Sequence, residues 1–472
     1  MQTGTFSSGC AIQYGGIFFR FRLVRGAFSL GWNWPSSGLS LVIKKGISGL
    51  RKHVHTALRK LSGALPRSKK FSIYRSFVRC DPAPKQHLIL KIAETKEELE
   101  ACFALLHDAY VSSGFMNPDQ SGMRVTPYHA LPTTTTLCAK YNGEVVGTLS
   151  LIRENAMGFP LQHVFDLTEV RKHEGNIAEV SALAVHRRFR KTGGSILFPL
   201  MKFMYEYCTT FFDTRHLVIA VNPNHIEMYE SLLFFKRLAA NPVENYDFVN
   251  GAPAVGAWLD LKFAPEVMKK HYGTKPAHRN LHAYFTMLKM PNIKLPLRRY
   301  YTTNDPVLTP ELLDHFFNQR TEVFANLSER QKLLLHSIYD IPEYLPVLPT
   351  LSSSRPHAPI RRHERFSMRC PGQLTIKADD GAVRKVDIDV VQVSTSGFLA
   401  SIRAPIPLQT WGNVMVKLGK ADVSYLQVEA VRSMGKDFYG FTFDNPDTNW
   451  KTFVSALYQG STHKDLQNAS SA

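Results

Sequence analysis

The 472-residue chain has only six cysteines (Cys10, Cys80, Cys102, Cys138, Cys208 and Cys370), and no two form a CxxC pair. That scatter argues against a disulfide framework and against a zinc site, and suits a reducing compartment. No metal ligand set is expected. No run approaches 18 consecutive apolar residues, so no spanning helix is expected. A GxSxG elbow is missing, which leaves a hydrolase triad without support. There are no internal repeats. Acidic residues are absent from the first 80 positions, which hold fourteen Lys or Arg. The net charge is +18, so the rest of the chain carries only about +4. The basicity belongs to a tail and not to the folded body, which speaks against a nucleic-acid polymer as partner.

Residues 1–87 are read as that basic tail. Within it, GISGLRKHVHTALRKLSGAL (46–65) repeats Ile47, Leu50, Val54, Leu58 and Leu61 at steps of three and four. Arg51, Lys52, His55, Arg59 and Lys60 fill the other face. The pattern predicts a basic amphipathic helix, suited to peripheral contact with an anionic membrane surface. A solvated tail, a transit peptide and a rarely used upstream start share the composition, while the layout of a secretory signal is missing.

A folded body is expected over 88–345. TKEELEACFALLHDAY (95–110) sets Thr95 and Glu98 at capping-box spacing, followed by a helical stripe of Leu99, Cys102, Phe103, Leu106 and Tyr110. TTTTLCAKYNGEVVGTLSLIRE (133–154) reads as a hairpin turning at Asn142-Gly143. Strand, helix, strand, helix and strand follow at 177–185, 195–208, 216–221, 225–235 and 255–263. One sheet with helices on both faces is implied. Helices at 309–324 and 327–339, with Thr309 and Ser328 as caps, extend the same body. The Pro- and Ser-rich stretch 346–359 is a linker. Residues 360–460 alternate in the strand manner, as in a small antiparallel β-barrel, and 461–472 form a tail.

The richest stretch is VHRRFRKTGGSILF (185–198). Gly193-Gly194 falls between a strand and a helix, where free backbone N–H groups bind phosphate. Arg188, Arg190 and Lys191 add charge for the same anion. A capped strand–helix turn with solvated arginines would look alike.

RKTGGS (190–195), after the strand motif VSALAV, resembles the pyrophosphate loop of the GNAT acyltransferases, with Ser195 in place of the last small residue. NPNHIEMYESLLFF (222–235) is similar to that family's second signature, through Asn222, Tyr229 and Phe234 or Phe235. Glu179 in IAEVSALAV resembles the Glu of acyl-homoserine-lactone synthases and of FeeM-like N-acyl amino acid synthases. DAYVSSGF, FPLQHVFDL and the extension from 304 to 335 also resemble the latter. One departure is Ala182, where those synthases often carry Arg.

The resemblance implies an α/β (α+β) GNAT fold with a helical extension. It implies an acyl thioester donor, on an acyl carrier protein or CoA, and a small-molecule amine. Val185, Arg188, Arg190, Gly193, Gly194 and Ser195 would hold the donor's phosphates, with Asn222 beside them. Glu179 would act as general base and Tyr229 would protonate the leaving thiolate. Backbone N–H groups near Val185 would face the oxyanion. Residue by residue, Glu179 also reads as a structural carboxylate, Tyr229 as core, and His225 as a carboxylate binder or, the reading preferred, a helix cap.

In the barrel region, RRHER (361–365) and QVSTSG (392–397) resemble the motifs with which PilZ domains clamp cyclic di-GMP. The resemblance assigns Arg361, Arg362, Arg365, Gln392, Ser394 and Gly397 to that ligand, with Gln392 where Asp or Asn is usual. The expectation is a bacterial cytoplasmic acyltransferase, peripheral at the inner membrane and regulated by cyclic di-GMP. Two alternatives stand beside it: an inactive acyltransferase-like effector, and an enzyme for a different amine.

Overall fold

In a computed structural model, the described residues are 66–83, 85–155, 157–190, 192–212, 214–296, 300, 308–339, 343–352, 366–377, 382–402, 404–434 and 438–458. The amphipathic segment 46–65, Lys191, and Arg361, Arg362 and Arg365 lie outside them.

The body opens with α1 (Arg67–Phe77), earlier than the expected start near 88. It packs on a later helix through Arg67–Glu230 at 2.9 Å and Lys70–Glu227 at 2.6 Å. Val78 and Cys80 behind it are buried. Next come β1 (Leu88–Ile92), α2 (Lys96–Ser112), β2 (Thr134–Tyr141), β3 (Glu144–Arg153) and β4 (Asn176–Val185). Thr95 caps α2 by accepting from the Glu98 N–H. Asn142 (φ 51°) and Gly143 (φ 85°) make the β2–β3 turn with positive φ at both positions, as a two-residue hairpin requires.

α3 (Leu197–Phe211) is apolar nearly all round and lies under the sheet. Then follow β5 (Thr214–Val221), α4 (Ile226–Leu232), β6 (Lys236–Arg237), β7 (Val243–Tyr246) and β8 (Ala252–Asp260). The sheet order is β1-β2-β3-β4-β5-β8-β6, with β7 pairing β8. Among the described strands, β4–β5 is the one parallel pair, running from Asn176–Thr214 to Glu179–Val218. Past Glu179 the two strands part. β4 also carries a bulge at this place: its register on β3 shifts between Thr148 and Ser150, and Ala182 takes a left-handed φ of 52°.

α5 (Ala264–Tyr272) and α6 (Leu281–Thr286) cover the α3 side. The other side holds α2 and the helical extension. There α7 (Pro310–Asp314) runs into a π-helical turn, His315–Gln319, and stops at Arg320, well short of 324. Adjacent residues on an α-helix point about 100° apart. The wider turn brings Phe316 and Phe317 into the core together, both fully buried, with Phe316 against Phe103 at 5.2 Å. α8 (Glu329–Ile338) starts at a capping box on Ser328. Leu348, in the expected linker, is buried against this layer.

β9 (Phe366–Lys377), β10 (Val383–Ser394), β11 (Gly397–Ser401), β12 (Trp411–Lys417), β13 (Val423–Met434) and β14 (Phe438–Thr442) close into an antiparallel barrel. α9 (Thr448–Tyr458) lies against it, and the fully buried Trp450 donates to the Ser394 carbonyl at 3.1 Å. Tyr300 also belongs to this core, its ring 4.9 Å from Phe453. An α/β body with a helical extension, followed by a small antiparallel barrel, is the architecture expected.

Candidate active site

Where β4 and β5 separate, the sheet has a gap, and a cavity of about 360 Å³ passes through it. That size falls within the range of small-molecule sites. On the α2 side its wall includes Tyr110, Phe115, Glu179, Ala182, Tyr246 and Phe248. On the α3 side the wall is apolar, with Met201, Met204, Leu261, Met268 and Phe285. Val185, Arg190, Gly194 and Asn222 stand at the gap itself.

Glu179 is the last β4 residue paired with β5 and is only 2% exposed. It accepts from the Leu161 N–H at 3.1 Å. No cation pairs with it among the described residues. Burial therefore outweighs the single hydrogen bond and pushes its carboxyl up to about 8. A carboxylate with that affinity can take a proton from an amine near neutral pH.

Three phenols share the charge field of Glu179: Tyr110, Tyr128 and Tyr246. Among the described residues the buried Tyr246 hydroxyl has no hydrogen-bond partner, so a polar ligand group at this end would satisfy it. Arg124 lies over the Tyr110 ring at 4.2 Å and the Phe248 ring at 5.0 Å, and donates to the Phe248 carbonyl at 2.7 Å. None of Arg124, Tyr246 and Phe248 was singled out by sequence. Tyr110 was, but as core.

The glycine turn has the geometry of an anion cradle. Gly193 and Gly194 have φ of 70° and 84°, and the Gly194 carbonyl accepts the Phe198 N–H at 2.9 Å to open α3. A Cβ on Gly194 would stand 2.5 Å from the Phe198 ring. Arg190 bends back to donate to the Val185 carbonyl at 2.8 Å. Arg188 instead pairs with Glu144 at 2.8 Å on the surface. Arg188, Gly193 and Ser195 are beside the cavity and not in its wall. Gly194→Ala combines left-handed strain with that contact. The expected result is a KM for the acyl thioester raised roughly tenfold with kcat changed less, read by steady-state kinetics.

Tyr229 lines the cavity, 8% exposed, its ring 5.7 Å from Phe235. Burial pushes its phenol up to about 12, so it stays protonated and can donate. Asn222 lines the cavity and holds an Asx turn to the Asn224 N–H at 3.0 Å. His225 departs from its expected role: its side chain makes no capping bond to α4 and lines the cavity, held neutral by burial.

In the barrel, Gln392, Ser394 and Gly397 sit together on the β10–β11 hairpin. The Ser394 hydroxyl donates to the Gly397 carbonyl at 3.0 Å, and β10 is bulged between Val390 and Gln392.

Residues 101–260 match the family model described as N-acyl amino acid synthase FeeM. Similar solved structures include FeeM, an N-acyl amino acid synthase from uncultured soil microbes, at 23% identity. It covers 38% of this chain and 93% of its own, with a TM-score of 0.33. BjaI, a CoA-dependent acyl-homoserine lactone synthase solved with MTA, is 22% identical over 40% of this chain and 91% of its own, at a TM-score of 0.31. The AHL synthase LasI is 17% identical over 38% and 91%, at 0.30. No curated protein sequence matches the chain. Most of the cavity wall falls within residues 101–260, the segment that matches this family of acyltransferases.

Proposed function

We propose that the chain is an N-acyl amino acid synthase, moving a fatty acyl group from a carrier-protein or CoA thioester to the amine of an amino acid. The observation that supports it best is the cavity through the sheet. It has a buried carboxylate, with no cation paired to it among the described residues, at one end and an apolar wall at the other.

The phosphopantetheine arm would enter at the gap. Its phosphates would rest on the turn of Arg188, Arg190, Gly193, Gly194 and Ser195, with Asn222 opposite. The acyl chain would follow Met201, Met204 and Met268. The amine would lie by Glu179, and Arg124, over the Tyr110 and Phe248 rings that line this end, would favour an acceptor that carries a carboxylate. Attack forms the C–N bond, and the amine proton passes to Glu179, directly or through water. Backbone N–H groups freed near Val185 would face the oxyanion. When the C–S bond breaks, the thiolate takes its proton from Tyr229.

The body 88–345 and barrel 360–460 would then divide the work. In this reading the barrel binds cyclic di-GMP through Arg361, Arg362, Arg365, Gln392, Ser394 and Gly397, and tunes turnover. Purified protein given a long-chain acyl-CoA or acyl carrier protein with a mixture of amino acids tests both parts. The expected result is free thiol together with acylated amino acids by mass spectrometry, at a rate that changes with the dinucleotide. Equal rates at saturating dinucleotide would remove the regulatory role, and thiol release without an amide would remove the synthase.

A further inference from the structure

We propose that the outer face made by α5, α6 and α1 docks on an anionic lipid bilayer, so that the apolar end of the cavity opens at the membrane. The inference rests on the acyl-transfer reading above, because it concerns where the chain-bearing end of that cavity leads.

The apolar end is walled by Leu261, Ala264, Pro265, Met268, Phe285 and Thr286. Thr286 is exposed, so the cavity reaches the surface here. Large apolar side chains stand in water beside it: Phe263 is 53% exposed, Val267 37% and Met287 68%. Lys262, Lys269, Lys270 and Lys289 are exposed around them, against Glu266 as the acid of α5. Aromatic and aliphatic side chains ringed by lysines are what an anionic interface takes up.

The face continues onto α1. Arg75 lies over the Phe234 ring at 5.8 Å, and that ring stacks on His271 of α5 at 5.0 Å. Lys275 donates to the Arg75 carbonyl at 2.9 Å. Here α1 exposes Ile73 (44%) and Phe77 (38%). The preceding 65 residues carry nine Lys or Arg and no acid, and join α1 at Pro66. The basic segment is therefore joined directly to the helix that exposes Ile73 and Phe77. α5 and α6 lie beyond residues 101–260, outside the segment matched by the family. An acyl amino acid is an amphiphile, and every methylene of its chain is costly to expose to water. Release at a bilayer avoids that cost. An acidic carrier protein would instead meet Arg187, Arg188 and Arg190, in the turn that follows β4.

The test uses the full chain with phosphatidylcholine vesicles, with and without phosphatidylglycerol, read by co-sedimentation. Two double variants are compared with wild type: Phe263→Ser/Met287→Ser, and Lys269→Glu/Lys270→Glu. All four side chains are exposed and outside the cavity wall. The expected result is binding that requires the anionic lipid and weakens roughly tenfold in each double variant. Turnover of a water-soluble short-chain thioester stays unchanged. Unaltered vesicle binding in both variants overturns the proposal. So does a charge-reversal variant that loses only its rate with acyl carrier protein, which would make the face a protein dock. If the chain transfers no acyl group to any amine while the variants still leave the vesicles, the docking face stands and the synthase reading falls.

Discussion

Glu179→Gln is expected to lower acyl transfer by roughly 10²- to 10⁴-fold at pH 8 while making the protein more stable. Both effects come from the burial of one carboxyl group. In the unfolded chain a glutamate titrates near about 4.3; in the fold Glu179 titrates at about 8, because burial penalises the charged form. The folded state therefore holds the proton more tightly. The stability this gives is full below pH 4.3 and is lost as pH rises toward 8. Glutamine keeps the shape and has no proton to lose. Thermal melts should show wild type and variant together at pH 4, then a gap favouring the variant that widens to about pH 8 and levels off. Wild-type turnover should climb through the same range as the carboxylate appears. The acceptor's ammonium also titrates there, so the limb due to Glu179 is the one missing from the variant's residual rate. Undiminished turnover in the variant would remove Glu179 from the chemistry.

Ala264→Phe should redirect the enzyme from long to short acyl chains. Ala264 opens α5, is 5% exposed and faces the apolar end of the cavity with Met268 and Phe285. A ring there occupies the space of about four methylenes. At about 0.8 kcal/mol each, the loss is roughly 3 kcal/mol of chain binding, or about two orders of magnitude in kcat/KM for long donors. Short donors never reach α5 and should be handled as before. Overpacking a buried site costs about 1–3 kcal/mol of stability, so donor profiles should be read beside melting curves. An equal loss for short and long chains would place the acyl group elsewhere.

What the sequence revealed was set locally. The Gly193-Gly194 turn, the Asn142-Gly143 hairpin and the caps at Thr95, Thr309 and Ser328 depend on a few adjacent residues, and each has its expected conformation. Glu179 stood out because its strand resembles the one that carries the Glu of acyl-homoserine-lactone and N-acyl amino acid synthases. Tyr110, Tyr246 and Phe248, which also line the cavity, carried no such mark. Tyr110 ends a regular apolar stripe and reads as core. It lines the cavity only because α2 crosses the sheet where β4 and β5 cease to pair. Tyr246 and Arg124 come from segments far apart in sequence, and their meeting is a property of the whole fold. His225 stands where a capping residue would, yet its ring turns to the cavity. α1 was read as tail because charge hides amphipathic contacts: its lysine and arginine side chains reach the acids of α4.

The most direct test of acyl transfer to an amino acid is mass spectrometry of lipid extracts from cells expressing the wild-type chain and Glu179→Gln. The account predicts a set of acylated amino acids made by wild type and missing from the variant, with their headgroup and chain length naming the substrates. Identical extracts from the two, with both proteins folded and soluble, would contradict it and favour a chain that keeps the acyltransferase shape for binding alone.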